Sequence, residues 1–275
     1  MVTSIENILP RSLSHYTTLG GLKGIIESGS LWASNASFLN DKAELLHALK
    51  AAKTAISMLS SKKALKTWAP MLRQVFEELS DGQKSNTYVA CFCRDDDNLS
   101  QWRGYSGDVQ GVSVTFDRAI LARRFEKDEA KLYRVTYARI STASKLRDAL
   151  AGELADIAEL DEILGESDEE RRYQDLLSRV SALLPKFKHL GFRDEREWRF
   201  VVQRKQKGDE LSFRVSGNKM VPYIMIGMGA NPLPIKSIRV GPGTDQQLTA
   251  RSLEEFLKAK GYGIKVQLSE VPFRR

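Results

Sequence analysis

Glu195 and Glu197 stand two residues apart in Arg193-Asp194-Glu195-Arg196-Glu197-Trp198-Arg199, a run that enters a strand. Alternation along a strand puts Glu195, Glu197 and Arg199 on one face, and Arg196, Trp198 and Phe200 on the other. Two carboxylates on one face with basic neighbours can hold a sugar hydroxyl and stabilise an oxocarbenium-like centre. The same residues can equally form a ladder of surface ion pairs. A second cluster, Ser14-His15-Tyr16-Thr17, places His15 and Thr17 on one strand face and Tyr16 on the other. A lone strand histidine is usually a satisfied structural residue. The third cluster is Asn98-Leu99-Ser100-Gln101-Trp102-Arg103-Gly104-Tyr105. Its Trp102 and Tyr105 share a helical face, a spacing used more often in a core than as a ligand platform.

These clusters need elements to hold them. Leu13 to Thr17 reads as a strand, with Thr17 or Thr18 capping a helix over Leu19 to Ser28 that Gly29 stops. Leu31 to Ser34 returns as a strand. Asp41 and Glu44 make a capping-box-like start to a helix, and a second covers Lys62 to Leu79, ending at Ser80-Asp81-Gly82. Thr87 to Cys93 and Val112 to Phe116 are strands flanking a short helix from Leu99 to Tyr105. Asp117 caps a brief helix, and Leu132 to Tyr137 is strand-like. Ala143 to Leu190 reads as a helical pair broken near Gly165-Glu166-Ser167. The last third carries strands at Trp198 to Gln203, Leu211 to Val215, Tyr223 to Gly227, Ile238 to Val240 and Ile264 to Leu268, with a helix from Leu248 to Lys260. Helices and strands are partly segregated, so the chain is read as α+β around a mixed or antiparallel sheet. Residues 1–275 form one domain with a helical insertion at about 141–190.

Composition narrows the class. The 275 residues carry a formal charge of +7, with 42% hydrophobic and 28% charged residues, which is neither disordered nor fibrous. Nine acids between Glu153 and Glu170 stand without a Lys or Arg, and removing them takes the rest of the chain from +7 to +16. Those acids read as the solvated face of a helix over Leu150, Leu154, Ile157 and Leu164, and a basic body attracts polyanions. No run of about 18 apolar residues predicts a membrane span. The N-terminal residues lack a secretory pattern, and Cys91 and Cys93 are too few for a disulfide framework, so a cytoplasmic protein is expected. Cys91 and Cys93 share a strand face, where buried inert thiols are expected. No phosphate-binding Gly-Lys loop, nucleophile elbow or metal-ligand spacing is present, and no metal is expected. Gly227-Met228-Gly229 and Gly241-Pro242-Gly243 read as turns.

Taken together, the clusters resemble a bacterial family labelled as a domain of unknown function and related to the ADP-ribosyltransferase fold. The residues that carry the resemblance are His15-Tyr16-Thr17, Gly20 to Gly29, Leu31-Trp32, Asn40-Asp41, Cys91-Phe92, Asn98-Leu99 with Trp102 and Tyr105, and Gly111 to Asp117. They continue in Glu195, Glu197 and Arg199, then Ile235 to Ile238, Gly241-Pro242, Gly261-Tyr262, and Ser269 with Pro272-Phe273-Arg274.

The resemblance implies an ADP-ribosyltransferase-like core and NAD as substrate. On that pattern His15 anchors a ribose of NAD, Glu197 is the catalytic carboxylate, and Glu195 activates or orients the acceptor. Tyr105, Tyr16 and Trp102 compete for the nicotinamide, with Tyr105 preferred because Tyr16 points away from His15. Thr17 accompanies the cofactor-binding strand, and Arg103 and Arg199 are placed at the pyrophosphate by charge and proximity. The implied function is ADP-ribosyl transfer to nucleic acid or protein, in a toxin-like or phage-defence effector with an antitoxin or defence-complex partner. The alternatives are a non-catalytic nucleic-acid or nucleotide-binding module, and an NAD glycohydrolase.

Overall fold

Turn chemistry local to the sequence sets most element ends. The computed structural model describes residues 9–38, 42–61, 63–80, 86–105, 110–165, 168–204, 211–216, 218–229 and 231–272, with the side chains of 42–46, 63, 64 and 105 outside that description. The expectations at Asn40-Asp41, at Asp41 with Glu44, at Asp81-Gly82, at Glu166-Ser167, at Phe273-Arg274 and for the Tyr105 side chain lie outside the described residues.

In chain order the elements begin with β1 (Ser12–Thr18), α1 (Leu19–Ser28), β2 (Leu31–Asn35), α2 (Lys42–Ser60) and α3 (Ala69–Ser80). Next come β3 (Thr87–Cys93), α4 (Leu99–Tyr105), β4 (Gly111–Asp117), α5 (Arg118–Phe125), β5 (Lys131–Arg134) and β6 (Thr136–Ala138). The helices α6 (Thr142–Leu164) and α7 (Glu169–Leu183) lead to β7 (Phe187–His189) and β8 (Glu197–Gln203). The chain closes with β9 (Ser212–Ser216), β10 (Lys219–Ile226), β11 (Ile235–Val240), α8 (Gln246–Ala259) and β12 (Lys265–Leu268).

Thr18 caps α1 by accepting from the Gly21 amide, and Gly29 ends it at φ 61°, a conformation open to glycine and costly for other residues. Asp117 caps α5 through two amides.

The main sheet is mixed, in the order β12-β11-β4-β1-β3-β2-β10-β9, with β8 on β3 and β5 on β8. Among the described residues, only β11 and β12 run parallel within it; β6 and β7 form a separate parallel pair. The topology forks at β3. One edge of β3 pairs with β8 along its whole length, from Thr87 opposite Gln203 to Cys93 opposite Glu197. Its other edge is shared, with Cys93 meeting Ser14 of β1 and Val89 meeting Ser34 of β2.

Each sheet face buries a different core. Leu13, Phe92, Phe116, Trp198 and Phe200 pack with Leu22 and Ile25 of α1, Leu121 and Phe125 of α5, and Leu253 and Leu257 of α8. A second core joins Ala52 and Ile56 of α2 and Leu72 and Val75 of α3 to Leu146, Leu150 and Ile157 of α6 and Leu176 and Val180 of α7. The expected helical insertion is therefore half of a helical lobe, because its apolar stripe is completed by α2 and α3 from earlier in the chain. This lobe lies against the other sheet face, where Ser178 bonds Gln203 and Thr87 bonds Ser181.

Three local expectations change. Residues 187–189, read as the end of a helix, form β7, because β6 offers a parallel partner. Leu132 to Tyr137 splits at Val135 into β5 and β6, which join different sheets. The acidic run is solvated for the most part, with Asp156, Glu159, Glu162 and Asp168 to Glu170 exposed, but part of it is paired. Asp161 is buried and pairs with Arg171 and Arg172, while Arg179 meets Glu153 at 3.1 Å and Asp156 at 3.4 Å. The matching cations come from α7, a few turns on. Leu164, expected beneath the acids, is exposed.

Gly24 of α1 lies so close to β2 that a Cβ there would sit 2.7 Å from the Trp32 ring. Trp32 is stacked on Tyr223 at 4.6 Å and cannot give way without unstacking. Gly24→Ala is therefore expected to lose about 1–3 kcal/mol in a urea melt, despite alanine's better helix propensity of about 1 kcal/mol.

Candidate functional site

The β1–β3–β8 register sets Ser14, Cys93 and Glu197 in one row across the sheet, with Tyr16, Cys91 and Arg199 on the same face. Ser14, Tyr16, Cys91, Phe92, Cys93, Gln101 and Glu197 line a cavity of about 10 Å³, room for about one water.

Glu197 is 2% exposed. Arg199 binds it in a fork, Nε to Oε1 at 2.8 Å and Nη2 to Oε2 at 2.8 Å, and Lys188 Nζ donates to Oε2 at 3.2 Å. Its own amide donates to Tyr137 Oη at 2.8 Å. Arg199 also donates Nη1 to the Pro185 carbonyl at 2.7 Å, which ties β8 to the helical lobe. Lys188 reaches a second carboxylate, Glu195 Oε2, at 2.5 Å.

Burial alone would raise the Glu197 carboxyl. The charges of Arg199 and Lys188, with hydrogen bonds from Arg199 and Cys91, overcome it and hold the group down to about 2. Burial pushes the Cys93 thiol up to about 12, so it stays protonated, and it donates to the Glu195 carbonyl at 3.0 Å. Burial also raises the Tyr16 and Tyr137 phenols. Both remain neutral hydrogen-bonding groups.

Glu195 is not on the strand. It ends a 3₁₀ segment over Leu190–Glu195, and Arg196 follows in the left-handed region at φ 46°. Regular alternation therefore starts only at Glu197, and the two carboxylates meet through Lys188 rather than through strand periodicity.

The remaining expected residues divide between the faces. Tyr16 is on the Glu197 side and packs edge-on to Trp102 at 4.6 Å. Its hydroxyl donates to the Asp95 carbonyl and accepts from the Asn98 amide. Trp102 is 1% exposed and donates Nε1 to Asp97 at 2.7 Å. That burial makes it a core residue rather than an open platform. Arg103 is exposed on α4. Arg199 commits its guanidinium to Glu197 and Pro185, which takes it away from a pyrophosphate.

His15 and Thr17 lie on the opposite face. His15 pairs with Val114, its ring meets Phe92 at 5.6 Å, and Nδ1 donates to the Cys91 carbonyl at 2.8 Å. That carbonyl lies in the fork where neither β1 nor β2 pairs with β3, so the imidazole satisfies a group the divided sheet leaves over. Burial, helped by the charge of Arg214, lowers the His15 pKa from 6.5. Thr17 Oγ1 packs against Gly21. Sequence reasoning missed Lys188 and Tyr137. No spacing distinguishes Lys188 from its neighbour Lys186, and only the β6–β7 pairing brings Tyr137 and Lys188 together.

Two acid transitions follow. His15 stays neutral in the folded chain while the unfolded chain protonates, so stability should begin to fall below pH 6.5. Glu197 stays ionised while the unfolded carboxyl protonates, so its contribution is intact above pH 4.5 and is lost as pH falls toward 2. Urea midpoints across pH 7 to 2.5 should show both limbs. His15→Gln should remove the first alone.

Among the described residues, no group of three His, Cys, Asp or Glu could hold a metal ion, and no helix is long and apolar enough to cross a membrane. Residues 101–200 match a family described as a protein of unknown function, DUF2971. That span runs from α4 into β8 and contains Trp102, Tyr137, Lys188, Glu195, Glu197 and Arg199, but not His15 or Tyr16. No curated protein and no solved structure matches the chain.

Proposed function

We propose that the chain is an NAD-dependent ADP-ribosyltransferase whose working carboxylates are Glu197 and Glu195. One observation carries this reading: both carboxylates converge on the buried Lys188, and Glu197 lines a small cavity. A carboxylate kept ionised and out of water acts most strongly on positive charge that develops beside it. Such charge builds on the ribose as its bond to nicotinamide loosens, and Glu197 would lower the energy of that state. Glu195 is nearer solvent, with its side chain 16% exposed, and would orient the acceptor. Tyr16 shares the cavity wall with Glu197 and takes the aromatic role, in place of Tyr105 or Trp102. The basic body of the chain favours a nucleic-acid acceptor over an acidic protein.

A second reading, a binding module without catalysis, is favoured by the saturation of Glu197 with Arg199 and Lys188 and by His15 standing on the far face. One experiment separates the two. Purified protein is incubated with lysate and NAD labelled in the adenylate phosphate, beside Glu195→Gln, which leaves the Glu197–Arg199 pair in place. Label on macromolecules that drops by roughly 100-fold in the variant supports transfer. Free nicotinamide without such label assigns a glycohydrolase. NAD that is neither consumed nor bound overturns both enzyme readings.

A further inference from the structure

We infer that residues 190–196 form a strap that swings off Glu197 and closes again, gating the cavity. Its gating of NAD rests on the function proposed above, whereas its opening does not. A cavity of about 10 Å³ excludes any nucleotide, so a ligand reaching Glu197 requires one wall to move. The strap does not itself line the cavity, but two lining residues, Cys93 and Gln101, donate to its Glu195 carbonyl, so three neighbours of the lining are available to move. The helical-lobe side is fixed by the Arg199 bond to Pro185 and by the Ser178–Gln203 and Thr87–Ser181 bonds. The α4 side is fixed by Trp102, wedged between Tyr16 and Gly241 and bonded to Asp97. The strap is the weakest. None of the residues in its 3₁₀ segment is buried, and Leu190, Arg193 and Asp194 face solvent.

What holds the strap is a set of polar contacts made to its C-terminal half, including the Arg94 amide on the Arg196 carbonyl at 3.3 Å and Arg196 Nη1 on Asp95 Oδ2 at 3.0 Å. Asn98 Nδ2 donates to the Asp194 carbonyl at 2.7 Å, while Gln101 Nε2 and Cys93 Sγ donate to the Glu195 carbonyl at 3.2 and 3.0 Å. Lys188 latches the Glu195 carboxylate and lies 4.8 Å from the Phe192 ring centroid. Few buried apolar contacts and a set of replaceable polar ones mark a segment that opens below the global unfolding free energy. The ends supply the pivots. His189 Nδ1 accepts from the Gly191 amide at one end, and Arg196 sits at φ 46° at the other. Arg196 leaves an unfavourable backbone conformation as the strap lifts.

Cys93 lies directly under the strap and reports its motion without any nucleotide present. In a Cys91→Ser background, labelling of Cys93 by a water-soluble maleimide is followed across low urea concentrations, beside the global unfolding curve. Opening of the strap predicts labelling that depends weakly on urea and is far faster than global unfolding permits. Phe192→Ala removes the strap's one large ring that is not fully exposed and should speed labelling roughly tenfold, beyond any change in the global midpoint. Labelling that tracks global unfolding in both proteins overturns the strap. Should Phe192→Ala not fold, the urea dependence in the Cys91→Ser protein decides alone. Weak urea dependence in a protein that neither binds nor consumes NAD upholds the strap and removes the NAD reading.

Discussion

Glu197→Gln is expected to destabilise the fold by about 3–5 kcal/mol, because it leaves buried cations without their counter-charge. Arg199 is 2% exposed and gives Nε and Nη2 to this carboxylate. Lys188, also buried, keeps its bond to Glu195. The neutral amide accepts fewer of these bonds and offsets no charge. Removing both members of the forked pair should be milder. Glu197→Leu with Arg199→Leu is expected to recover most of the loss, since apolar side chains of similar volume often replace a buried ion pair at little cost. Chemical denaturation of the three proteins at pH 7 measures this. The single variant should also lose Glu197's share of the acid limb between pH 4.5 and 2, while the lowered Asp161 and Glu27 carboxyls keep theirs. A loss below 1 kcal/mol for Glu197→Gln would mean that the pair is not closed in solution.

Trp102→Ala is the second large effect, at about 3–5 kcal/mol for a buried tryptophan. The ring holds four parts of the chain together. It packs on Tyr16 of β1, and it touches the backbone at Gly241, where a Cβ would sit 2.8 Å from it. Through Nε1 it binds Asp97, which also accepts from Ser269 Oγ and the Glu270 amide near the C-terminus. Trp102→Phe should cost less than the alanine variant. It keeps much of the packing, and the lost indole bond leaves Asp97 with its other donors. Equal losses for alanine and phenylalanine in urea melts would place the effect in the hydrogen bond rather than the ring.

Local chemistry was legible in the sequence. Thr18 and Gly29 bound α1, Asp117 starts α5, and apolar spacing marks α8, because caps, left-handed glycines and helical periodicity act within a few residues. The α+β class and the strands Thr87–Cys93 and Trp198–Gln203 followed from composition and alternation, and so did the pairing of interest in Glu195 and Glu197. Tertiary structure decided what lies more than one turn away. Residues 187–189 are a strand only because β6 is beside them. The acids of α6 meet arginines of α7 only once the two helices fold back. His15 and Tyr16 are neighbours in sequence, yet strand alternation and the fork at β3 send one into the divided sheet and the other toward Glu197. Glu195 reaches Glu197 through Lys188, across a turn whose left-handed Arg196 no spacing rule announces. Residue types and short-range periodicity therefore determined which side chains could do chemistry. Long-range strand register decided which of them share a face, since a single residue's shift in pairing reverses every side chain on the strand.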